Sequence, residues 1–132
     1  MLWKTFGTEC LEMATLKLED LVRFVLDNRM LEARQWVADA QRAGLRFDRL
    51  PRPTLVDQAE LAVAAGLAEL LASRHGQSPP SWAASISGLE SPMFLGRQLA
   101  TLPRSAARAR REGPEPLKRR NLLALPNFLN VV

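Results

Sequence analysis

The sequence predicts an all-α fold: a small helical domain of about five to six helices, with a central buried helix and an irregular C-terminal third. Three observations carry this reading. Apolar residues recur at helical spacing between residues 18 and 43. Residues 55–74 are rich in alanine and leucine and apolar nearly all round, the pattern of a helix covered on most sides. No alternating apolar/polar run of useful length exists, and the abundance of Leu, Ala and Arg favours helix at most positions. With 132 residues, 47% of them hydrophobic, the chain is expected to be a single domain with its own core. Residues 1–14 are expected to be a loose N-terminal extension, with Met13 a second plausible start.

The first helix is expected over residues 18–27. Leu18, Leu21, Val22, Val25 and Leu26 share one side, and Glu19 and Asp20 complement the dipole in the first turn. Asn28 is expected to end it and to cap a second helix over 29–43, which places Leu31, Ala33, Trp36, Val37 and Ala40 along one stripe. Gly44 is the expected stop, and the short connection predicts a helical hairpin or a tight corner. Residues 45–53 read as a loop closed by two prolines. Thr54 is the expected cap of the central helix over 55–74, with Asp57 as a capping-box acid and His75-Gly76 as its end. Ser78-Pro79-Pro80 is a linker into Trp82. Ser91-Pro92 then predicts a short helix over 93–99, residues 104–112 a basic helical segment, and residues 115–123 a last short helix.

The search for catalytic or cofactor chemistry comes up empty. One His and one Cys, far apart, give no metal-ligand spacing. Cys10 has no activating neighbour, and a lone cysteine with no disulfide partner fits a reducing, cytoplasmic setting. His75 at a helix end reads as a C-terminal cap rather than a catalytic base. Seven scattered glycines form no phosphate loop, and adjacent acids such as Glu19 and Asp20 point about 100° apart on a helix. No apolar run is long enough to span a membrane. The chain is therefore expected to be non-enzymatic, with no cofactor and no metal.

Charge is where the sequence speaks. Residues 97–132 hold 8 Lys/Arg against 2 Asp/Glu, a net of +6, whereas residues 1–96 hold 10 against 12, a net of −2. Arg104, Arg108 and Arg111 fall at spacings of four and three and so share a helical face, and Lys118, Arg119 and Arg120 add a second cluster. Such a surface suits an acidic protein partner or nucleic-acid phosphates. Trp82 and Phe94 are the candidate apolar anchors beside it. The final run from Leu122 to Val132 is expected to close the core or to form a homodimer seam.

The order Pro80-Ser81-Trp82, then Pro92-Met93-Phe94-Leu95, then Lys118-Arg119-Arg120-Asn121-Leu122 resembles the C-terminal region of small bacterial antitoxin-like and helix-turn-helix regulator proteins. The resemblance covers about residues 79–125. It implies an antitoxin-like protein that neutralises a partner, a cognate toxin encoded alongside it. The hairpin over residues 18–43 lacks the Gly-bearing turn and polar recognition face of a DNA-reading helix pair, which leaves the protein-binding half of that resemblance. The alternative is a nucleic-acid-binding regulator using the same arginines.

Overall fold

A computed structural model of the chain describes residues 16–55, 57–96 and 99–129. Among these residues the fold is mainly α-helical, as the periodicity predicts. The five helices are α1 (Leu18–Leu26), α2 (Met30–Ala43), α3 (Gln58–Arg74), α4 (Pro103–Glu112) and α5 (Glu115–Lys118). The expected extension over 1–14, with Cys10, lies outside the described residues, as do Arg97 and the last three positions. No helix among the described residues is long and apolar enough to cross a membrane.

α1 buries Leu18, Leu21, Val22 and Val25 and carries Glu19 and Asp20 in its first turn. Asn28, at φ 59°, closes it in the left-handed region that asparagine tolerates. It does not cap α2, however. Arg29 holds that position with no side-chain cap bond, and its guanidinium instead pairs with Glu32. Ala33, Trp36, Val37 and Ala40 are buried along α2 as expected, but Leu31 is 78% exposed, because it lies off the stripe those four define. Gly44 adopts φ 70°, and the Leu45 amide reaches back to the Ala40 carbonyl at 3.0 Å, the closure of a Schellman motif.

α3 is the centre of the molecule. Every residue from Leu61 to Ala72 is buried. It starts later than the sequence suggests: Asp57, not Thr54, is the N-cap, its carboxylate accepting from the amides of Ala59 (2.7 Å) and Glu60 (3.4 Å). The Thr54 amide is engaged elsewhere, donating to Glu19 Oε2 at 3.1 Å. α1 and α5 both pack on α3. Gly66 lets α5 come close, since a Cβ there would lie 2.7 Å from Leu117 Cδ2 and 3.2 Å from Leu122 Cδ1.

The C-terminal third departs most from expectation. The helix expected over 93–99 is absent among the described residues of that span. Met93–Phe94 is a short strand, β1, pairing in parallel with β2 (Leu122–Leu123), in the register Met93 to Leu122 and Phe94 to Leu123. Nor does the last helix reach residue 123, for α5 stops at Lys118. The reason is local: Asn121 turns left-handed at φ 61°, and its carbonyl accepts from the Met93 amide at 2.8 Å. The Leu95 amide donates to Leu123 at 2.8 Å and the Leu89 amide to Arg120 at 3.0 Å, so backbone groups that a helix would satisfy internally are satisfied between segments. Leu122, Leu123, Ala124, Phe128 and Leu129 are buried in their own chain's cores, so the described part of the final run closes the domain in cis.

Candidate interaction surface

α4 begins with Pro103 at its first position, where a missing N–H costs nothing, and buries only Ala106 and Ala109. Ala109 seats the helix over Leu99 and Leu123, with Phe94 and Leu125 packed alongside. Arg104, Arg108 and Arg111 lie on the opposite side, Arg110 lies on its flank, and all four are exposed. Arg108 and Arg111 each lie 3.8 Å from Glu112, contacts between exposed groups that hold little energy. The Arg110 guanidinium sits 5.3 Å above the Phe94 ring, a cation–π contact that makes Phe94 a shelf for the basic face. Lys118 joins the same surface by donating from Nζ to the Arg111 carbonyl at 3.0 Å, a cation placed on the negative end of α4.

Two of the expected surface residues behave differently. Arg120 is buried, because Glu69 of α3 needs a counter-charge: its Nη1 pairs with Glu69 Oε1 and donates to Pro116 O (3.1 Å), and its Nη2 donates to Ala83 O (2.8 Å). Arg120 therefore belongs to the interior and not to the contact face. Trp82 lies in another part of the molecule, half-buried against Leu61, Ala65 and Ile86, its Nε1 donating to Leu50 O at 2.7 Å. It does not join Phe94 and α4, which pack in a separate apolar cluster. Arg119 is intermediate in role, with an exposed side chain whose Nη2 reaches Glu69 at 3.3 Å.

Sequence reasoning missed the apolar groove next to α4. It holds about 200 Å³ and is walled mainly by Met30, Leu95, Leu99, Leu102, Phe128 and Leu129, with Arg34 and Ser105 at its polar margins. Leu102 is 49% exposed at this groove. The available signal was Leu102 standing directly before a helix-starting proline; the expected helix over 93–99 obscured it.

His75 is the C-cap of α3. Its Nδ1 donates to Leu71 O at 2.8 Å, which leaves Nε2 to accept from Gln41 Nε2 at 2.9 Å, and its ring lies 4.7 Å from that of Phe47. Among the described residues no group of three or more His, Cys, Asp or Glu is placed to hold a metal ion. Arg74 is held below the usual arginine range by burial, its guanidinium capping the carbonyls of Pro126 and Phe128. No protein-family model matches this chain, and comparisons with curated proteins and with solved structures return no match.

Proposed function

We propose that the protein is a non-enzymatic bacterial binding module, antitoxin-like in action, that occupies and neutralises a partner protein. The observation that carries this reading is the juxtaposition of the exposed α4 arginines with the Leu102 groove: Ser105 lines the groove, with Arg104 immediately before it and Arg108 one helical turn after. A partner segment that pairs an apolar side chain with acidic ones fits both halves. The apolar group fills the groove and the carboxylates take bidentate bonds from arginine. The resemblance over residues 79–125 supports a toxin-like occupant. The mechanism is steric and electrostatic, with affinity centred on the groove and association rate on the arginines.

The test is differential affinity purification with wild type, the triple variant Arg104→Glu/Arg108→Glu/Arg111→Glu, and Arg23→Glu on α1 as an exposed control. The expected result is one protein retained by wild type and the control but lost with the triple variant, at unchanged circular dichroism. A partner retained equally by all three overturns the reading. Nucleic-acid binding by the same face is the second reading, favoured by three exposed arginines sharing one side of α4. It predicts retention on DNA that falls steeply with salt and disappears in the triple variant.

A further inference from the structure

A second basic feature, away from α4, lies between the start of α1 and the loop after α2. A cleft of about 650 Å³ opens there, in the size range of small-molecule sites. Four cations line it: Lys17, Arg46, Arg49 and Arg52. The three arginines recur every third residue. Phe47–Arg49 is a 3-10 turn that Arg46 precedes in an extended conformation, and both Arg46 and Arg49 line the cleft. Arg46 is paired with Asp48 at 2.9 Å, and this contact, with a smaller pull from Arg49, holds the Asp48 carboxyl below the usual range. Lys17, Arg49 and Arg52 have no ion-pair partner among the described residues. Glu19, the carboxylate of the lining, is already bound to the Thr54 amide.

The walls of this cleft are fastened from beneath. Trp36 Nε1 donates to the Lys17 carbonyl at 3.0 Å, and Trp82 Nε1 donates to the Leu50 carbonyl at 2.7 Å. Gln77 Oε1 accepts from the amides of Phe47 (2.8 Å) and Asp48 (3.3 Å), pinning the turn that carries the arginines. A fastened backbone lowers part of the cost of gathering these exposed cations around an anion. Cations at several points around one cleft suit an anion with several charged oxygens better than a single carboxylate. Leu45, Leu50 and Pro51 add an apolar wall for an organic body.

We infer that this cleft binds a phosphate-bearing small molecule, its phosphates on Lys17, Arg49 and Arg52 and its organic part on Leu45, Leu50 and Pro51. The inference is independent of the α4 surface. Calorimetric titration of the full chain with sodium tripolyphosphate and with ATP, at low salt and without divalent cations, tests it. Both probes are expected to bind, ATP about tenfold more tightly through the apolar wall. The exposed-site double variant Arg49→Gln/Arg52→Gln is expected to weaken both by about tenfold or more, and the α4 triple variant to leave both unchanged. Equal affinity for the two probes overturns the apolar part of the assignment. Absence of binding, or a loss that follows the α4 arginines instead of Arg49 and Arg52, overturns the site.

Discussion

Arg120 and Glu69 form an ion pair inside the protein that fastens the C-terminal segment to the middle of α3. Both side chains are almost fully covered, at 6% and 7% exposure, and Arg120 Nε is buried with no partner. Two of the other guanidinium bonds go to backbone carbonyls, of Pro116 and Ala83, so this one side chain joins α3, α5 and the turn after Trp82.

Breaking that pair from one side leaves the other charge buried and alone. Arg120→Met or Glu69→Leu alone is expected to cost about 3–5 kcal/mol in urea denaturation, and the double variant far less than their sum. Arg119→Ala, which removes a mostly exposed contact to the same carboxylate, is expected to cost under about 1 kcal/mol. Additive losses in the double variant would show that the pair is not coupled.

The start of α3 gives a sharper local test. Asp57→Ala removes the oxygen that accepts from Ala59 and Glu60, and is expected to lower stability by about 1 kcal/mol. Thr54→Ala keeps the backbone amide that Glu19 binds and is expected to change stability by less than about 0.5 kcal/mol. Thermal melts of the two variants decide between Asp57 and Thr54 as the cap.

Gly88 is the point where two segments of the C-terminal third touch. A Cβ there would lie 2.5 Å from the Arg120 Cα and 2.9 Å from its carbonyl carbon, backbone atoms with no rotamer to move. Gly88→Ala is therefore expected to destabilise by about 1–3 kcal/mol. Faster hydrogen exchange at the Leu89 amide, which donates to Arg120 O, should accompany it. An unchanged denaturation midpoint and unchanged exchange at Leu89 would refute the close approach.

The sequence made the helices legible wherever local signals agree with tertiary packing. α1, α2 and α3 are each marked by an apolar stripe or an all-apolar run, and Gly44 by its stop signal. What stayed hidden is non-local. Met93 and Phe94 follow a Ser-Pro start signal, yet their backbone pairs with residues about thirty positions on, a partnership that no local period encodes. The same holds at the candidate surface. The spacing of Arg104, Arg108 and Arg111 revealed the α4 face, but nothing adjacent to Arg120 marks it as the partner of Glu69. Adjacent arginines at 119 and 120 therefore look alike in sequence and end in opposite environments.

That divergence changes what the C-terminus can be. A detachable basic arm would tolerate removal of residues 115–132 with the helices intact. Here Leu117 and Leu122 are fully covered and seated at Gly66, and Arg120 neutralises a carboxylate in the central helix. Truncation after Pro114 uncovers that core and strands Glu69, so it is expected to abolish the cooperative thermal transition and cut the helical circular-dichroism signal well beyond the four residues of α5. The triple reversal of Arg104, Arg108 and Arg111, all exposed, is expected to shift the melting midpoint by only a few degrees. A truncated chain that keeps the native melting transition would show residues 115–132 to be a separable tail.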